Sequence, residues 1–164
     1  MDGLMFTVDA ILAATQAAAQ RYYRLVIVAA PIQGGKTTLL RQAQMALGAA
    51  WVNVGLELSG HLLEMTERQR ALRVNRVLDE ILAPYPPEQM VIFDNTEILF
   101  DRALALNPMN LLQGLARSRT LIVSWSGRYE DGWLTYAAPG HAEYQRYPTQ
   151  DVLVISPPPG AQPG

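Results

Sequence analysis

Hydrophobic residues in this chain fall into short unbroken runs separated by longer amphipathic stretches. Leu25-Val26-Ile27-Val28-Ala29-Ala30 is apolar throughout, and Met90-Val91-Ile92-Phe93 repeats the pattern before Asp94. Runs this short and this rich in β-branched residues predict strands buried on both faces of a parallel sheet. Trp51 to Leu56, Thr120 to Trp125 and Asp151 to Ile155 predict three more. Between them lie helical patterns. One opens at Thr7 and covers Ile11 to Ala19; another runs from Thr37 to Leu47 and ends at Gly48, a C-cap residue; a third extends from Ser59 to Ala83. Thr66 and Gln69 have capping-box spacing, which predicts that this third stretch restarts there as a second piece. Pro108 suits the first turn of a helix reaching Arg117.

Strand and helix in alternation with right-handed crossovers give an α/β fold: three layers, with a mostly parallel five-stranded sheet between helices. Ligands of such sheets sit at the C-terminal ends of the strands. No internal repeat is visible. Pro157-Pro158-Pro159-Gly160-Ala161-Gln162-Pro163-Gly164 can form neither helix nor central strand, so the expectation is one domain over residues 1–156 and a disordered tail over 157–164.

At 164 residues the chain has the size of a single domain burying roughly two-thirds of its unfolded surface. Thirteen basic and fifteen acidic residues give a net charge of −2, which excludes a polybasic binder but not a local basic face. With no cysteine there are no disulfides, thiolate metal sites or Cys nucleophiles, which fits the cytoplasm. His61 and His141 have no second histidine at ligand-like spacing. The stretch Ile11 to Ala19 lacks a basic n-region and is broken by Gln16, so it reads as neither signal peptide nor membrane span.

Twelve of the thirteen basic residues are arginine. The single lysine, Lys36, lies in Ala30-Pro31-Ile32-Gln33-Gly34-Gly35-Lys36-Thr37-Thr38, directly after the first strand and at the start of a helix. Glycines there let backbone N–H groups curl around an anion, and the helix N-terminus favours its charge. The context is that of a phosphate loop, with Gln33, Gly34, Gly35, Lys36, Thr37 and Thr38 as its binding residues. Lys36 would reach the β- and γ-phosphates of ATP and Thr37 would ligate Mg²⁺. Ala30 stands where the first glycine of the motif belongs.

Asp94, at the end of an apolar strand, is the matching magnesium residue. ATPases of this architecture place a glutamate directly after that aspartate; here the position holds Asn95, which can orient water but not deprotonate it. Glu97 is the candidate base, with Glu57 as the alternative, and both could equally be solvated or capping carboxylates. Ser126, preferred to Ser124, is the candidate sensor of the terminal phosphate; both also suit a β-turn at Gly127. Arg146, ahead of Arg128, Arg117 and Arg119, is the candidate for a transition-state arginine supplied in cis or by a second subunit. Arg68, Arg70, Arg73 and Arg76 read as a solvated charged face. Tyr129, Trp133, Tyr136, Tyr144 and Tyr147 lie in a stretch without clear periodicity. Packing over the sheet edge is favoured for them over contact with a partner.

The phosphate loop through Arg41, Leu56-Glu57-Leu58-Ser59, Arg68-Gln69-Arg70, Phe93-Asp94-Asn95-Thr96-Glu97-Ile98-Leu99-Phe100, Asp131-Gly132-Trp133-Leu134-Thr135-Tyr136 and Pro139-Gly140-His141 together resemble the BrxF family. These are the small P-loop proteins of type 3 BREX bacteriophage-defence systems. The resemblance spans nearly the whole folded chain. It implies an AAA+/ASCE-like P-loop NTPase core and nucleotide binding by Gly35, Lys36, Thr37 and Asp94. It also implies a cytoplasmic subunit working beside other defence proteins, among them a DNA methyltransferase, a larger ATPase, a helicase and a phosphatase-like protein. The chain ends soon after the fifth strand, which departs from AAA+ ATPases in lacking a C-terminal helical lid and its sensor arginine.

The functional expectation is an ATP-binding, ATP-hydrolysing switch using ATP and Mg²⁺, with a homo-oligomer allowed, and DNA contact allowed too, through partners in preference to directly. A non-catalytic nucleotide-binding scaffold and a small P-loop nucleotide or metabolite kinase are the alternatives.

Overall fold

A computed structural model describes residues 6–31, 35–136 and 145–157. Helix α1, Val8–Ala18, starts at Thr7, whose hydroxyl accepts from the Ala10 N–H at 3.1 Å. Strand β1 is Leu25–Ala30, and α2 is Lys36–Leu47, entered through Gly35 and closed by Gly48, both with left-handed backbone. Strand β2, Ala50–Asn53, is shorter than the sequence suggests: Asn53 caps the backbone N–H of Leu56 and so starts α3, Val54–Leu62, where strand was expected. Helix α4, Glu67–Leu82, begins with the expected capping box, Thr66 and Gln69 each bonding the other's backbone.

Strand β3 is Val91–Asp94. Two 3₁₀ turns, Thr96–Phe100 and Arg102–Leu104, lead to α5, Pro108–Leu115, with Pro108 in its first turn. Strand β4, Leu121–Glu130, runs five residues beyond its expected end at Trp125. It continues into a hairpin ribbon with β5, Trp133–Tyr136, which in turn pairs with β6, Gln145–Pro148; β7 is Leu153–Ile155.

The sheet order is β2-β3-β4-β1-β7, and all of these pairings are parallel. The expected five-stranded parallel sheet is therefore present, but the sheet has seven strands because β5 adds antiparallel to the outer part of β4 and β6 adds antiparallel to β5. Gly127, expected in a turn, is an in-strand residue paired with Tyr136. A Cβ there would lie 1.7 Å from the Thr135 carbonyl oxygen, so the ribbon closes against bare backbone.

Both faces of the sheet are covered. Leu25, Ile27 and Ala29 enter one core with residues of α3, α4 and α5, while Val26 and Val28 enter the other with α1 and α2. This alternation explains the continuous apolar run: every side chain of β1 is buried, on one side or the other. Among the described residues no helix is long and apolar enough to cross a membrane. The segment 158–164 of the expected tail lies outside the described residues.

Candidate functional site

At the C-terminal end of β1 the chain turns through Gly35 (φ +80°), and Lys36 opens α2. Only glycine takes that backbone at no steric cost. The Lys36 side chain is 6% exposed, and its ammonium donates to the carbonyls of Ala30 at 2.9 Å and Pro31 at 3.0 Å. Burial lowers its pKa from the ordinary 10.5, while the nearby carboxylates of Glu97 and Asp94 pull it back up. Two of the ammonium's three N–H groups are thus bonded to carbonyls of the described residues. Of the other expected loop residues, Thr38 lies exposed in the first turn of α2, and Gln33 and Gly34 lie outside the described residues.

Thr37 and Asp94 approach each other across the gap between α2 and β3. The threonine hydroxyl is 3.4 Å from Oδ2 of the aspartate, which is buried at the end of its strand. Beyond Asp94 the chain leaves the sheet at Asn95, whose φ of +54° puts it in the left-handed region. Asparagine tolerates that region better than most residues. Gly55 at the start of α3 lets this turn come close; a Cβ there would be 3.2 Å from the Asn95 carbonyl oxygen.

Two hydroxyls then fasten the first 3₁₀ turn to β4. Thr96 Oγ1 donates to the carbonyl of buried Ser124, one residue past the last paired position of β3 and β4. Ser126 Oγ donates to Oε2 of Glu97. Ser126 lies beside Ala30 in the parallel register, and Ala30 is the residue whose carbonyl holds Lys36. Lys36, Thr37, Asp94, Glu97 and Ser126 are therefore gathered where β1 and β3 end, beside the middle of β4. Thr96 was missed in the sequence because its contribution depends on β3 ending at Asp94 and the chain turning at Asn95.

The remaining candidates lie elsewhere. Glu57 is exposed in the first turn of α3, beside a shallow depression formed with Leu56, Gly60 and His61. Arg146 is exposed on β6 with its guanidinium 4.2 Å over the Trp133 ring, and the structure does not bring it to Lys36 or Asp94. Arg128 sits opposite Thr135 on the ribbon. Arg117 and Arg119 precede β4, at the opposite end of the sheet from Lys36, which removes them as finger candidates within the chain.

Arg70 bonds the carbonyls of Met65 and Leu63 at the junction of α3 and α4, while Arg68, Arg73 and Arg76 are exposed as expected. The aromatic stretch packs more than it displays. Phe100 stacks on Tyr136 at 3.8 Å, and Trp125 meets Phe100 and Tyr147 edge-on. Trp133 stays 39% exposed, and Tyr144 and His141 lie outside the described residues.

Chemically, the site pairs a buried cation with a hydroxyl–carboxylate couple, at the glycine-opened N-terminus of a helix. That set fits phosphate oxygens and a hard divalent cation sharing them. Among the described residues no three His, Asp or Glu side chains converge, so a cation held here would take phosphate oxygens among its ligands. No protein-family model matches the chain, and no curated protein matches it.

Proposed function

We propose that the chain is a P-loop NTPase domain that binds ATP with Mg²⁺ and hydrolyses it, its nucleotide state switching contacts within a bacterial phage-defence assembly. The observation that carries this reading is the meeting of Lys36, Thr37 and Asp94 at the ends of β1 and β3. The strand order supports it, because β4 stands between the strand feeding the loop and the strand ending in Asp94, as expected of an ASCE-like core. Lys36 would neutralise the β- and γ-phosphate oxygens, and Thr37 and Asp94 would hold Mg²⁺ directly or through water.

In the hydrolytic step a water oxygen bonds to the γ-phosphorus, the bond to the bridging oxygen breaks, ADP leaves, and the water proton passes to Glu97. Ser126, already hydrogen-bonded to Glu97, fixes that carboxylate relative to the loop. The test is titration of ATP and of ADP, with and without Mg²⁺, into the wild type and Lys36→Ala. Loss of at least tenfold in ATP affinity is expected, on the order of one charge-assisted contact or more; unchanged affinity overturns the reading.

A non-catalytic nucleotide-binding scaffold is the second reading, favoured by Asn95 in the position expected of a glutamate and by the engagement of Glu97 with Ser126. Turnover that survives purification, depends on Mg²⁺ and is lost in Asp94→Ala removes it. The defence partners and a cytoplasmic location belong to this proposal through the family resemblance, and a homo-oligomer through the arginine that a second subunit could supply.

A further inference from the structure

At the end of the sheet opposite the phosphate loop, two loops lie side by side: residues 19–24 before β1, and residues 116–120 before β4. The Arg24 N–H donates to the Ala116 carbonyl at 2.9 Å, and the Leu121 N–H donates to the Arg24 carbonyl at 2.9 Å. The side chain of Arg24 reaches across to the Arg117 carbonyl at 3.1 Å. Arg117 in turn lies 4.8 Å over the ring of Tyr22, which meets Tyr23 edge-on at 4.8 Å. Arg21, Tyr22 and Arg117 are exposed, Tyr22 by 65%. Two residues along, buried Arg119 donates to the Tyr85 carbonyl and has a second nitrogen, Nη1, with no partner among the described residues.

Three solvent-reachable arginines, Arg21, Arg24 and Arg117, thus lie in two adjacent loops whose sequences contain no acidic residue. Arg21 lines a depression with Tyr22, Tyr23 and Asp151, the last being its one acid among the described residues. In a chain of net charge −2 this is a concentrated positive patch, and it holds an exposed tyrosine under a guanidinium. We infer that this patch binds the backbone of single-stranded nucleic acid, Arg21, Arg24 and Arg117 contacting phosphates and the Tyr22–Arg117 stack receiving a base. Charge complementarity demands a polyanion. Aromatic rings interleaved with arginines select a strand with unstacked bases over an acidic protein surface, because every base offers a π-face while acidic side chains offer none. The patch is separate from the Lys36 site and does not depend on the function proposed for it.

The experiment is fluorescence anisotropy of a labelled mixed-sequence DNA strand of about 20 nucleotides with the full chain, across about 50 to 200 mM salt. Three phosphate contacts predict a slope of log affinity against log salt near −2, at about 0.7 per contact on single strands. Arg21→Ala/Arg117→Ala should bring the slope to roughly −1 and leave ATP turnover unchanged. Tyr22→Ala should weaken binding about tenfold without altering the slope, and Tyr22→Phe should restore it. The inference is overturned if the strand does not bind at the lowest salt, if the slope ignores the arginines, or if a polyglutamate chain competes as well as DNA does. Duplex DNA bound more tightly than the single strand likewise overturns it.

Discussion

The hydroxyl of Ser126 on β4 donates a hydrogen bond to the carboxylate of Glu97 in the turn that follows β3. Together with the bond from Thr96 to the Ser124 carbonyl, it fastens the turn after β3 to β4 beyond the last paired residues of the two strands. Ser126 also lies beside Ala30, whose carbonyl holds the Lys36 ammonium. The proposed water-activating group is therefore tied to the strand beside the one that feeds the loop.

If Glu97 accepts the proton from water, Glu97→Gln should lower ATP turnover by about 10²-fold or more with ATP affinity within a factor of about three, since the amide keeps the shape. Ser126→Ala should cost about tenfold in turnover through lost orientation, and Ser126→Thr should recover most of it. Steady-state turnover alongside equilibrium ATP titration separates the two effects. An unchanged rate in Glu97→Gln removes Glu97 as the base.

Alkaline pH should act on Lys36 in two opposite ways. Its pKa in the folded chain is below 10.5 because of burial, so between the folded value and 10.5 the unfolded chain binds more protons and stability rises with pH. ATP affinity should fall over the same window, because the amine loses the charge that faces the phosphates. Denaturation and ATP titration across the alkaline range test this, and Lys36→Met should abolish the rise in stability.

Tyr147 should work in the other direction. Burial pushes its phenol from 10.0 up to about 12, so the folded chain holds the proton that the unfolded chain releases, and the stability present below 10 is lost as pH climbs toward 12. Tyr147→Phe should flatten that loss, as read from urea midpoints at successive pH values.

Gly127→Ala should destabilise the chain by about 2 kcal/mol or more, because the new methyl would meet the Thr135 carbonyl oxygen at 1.7 Å. Gly132→Ala, where φ is +82° but nothing lies within 4 Å, should cost only about 1 kcal/mol. Chemical denaturation of the two variants compares a steric cause with a conformational one.

Thr96→Val should cost about 2 kcal/mol, since it leaves the carbonyl of buried Ser124 without its hydroxyl donor. Thr96→Ser keeps that donor and should cost less than about 1 kcal/mol. Equal losses in the two variants would assign the role of Thr96 to its methyl group instead.

The strands β1 and β3 were legible because both faces are buried, leaving unbroken apolar runs whose ends are marked by Pro31 and by Asp94 with Asn95. The α4 start was legible from two residues whose side chains satisfy each other's backbone locally. Long-range causes were not. Asn53 reads equally well as the middle of a strand or the cap of a helix, and only the packing of α3 on the sheet decides between them. Gly127 signals a turn in isolation; its actual reason is the Thr135 backbone across the ribbon. In the site, Lys36, Thr37 and Asp94 follow from motif and strand end, whereas the tie between Ser126 and Glu97 depends on how far each strand extends before it bends.

The position of β1 has a consequence for how the chain is made. Its two neighbours, β4 and β7, both lie far later in the sequence, and β7 ends at Ile155. A chain emerging from the ribosome therefore carries Leu25–Ala30 as an unpaired apolar segment until most of its length has been synthesised. The phosphate loop is encoded early but gains its supporting sheet late. Nascent chains halted before Leu121 should neither bind nucleotide nor stay free of aggregation, which would confine the proposed binding to chains that extend through β4 and β7.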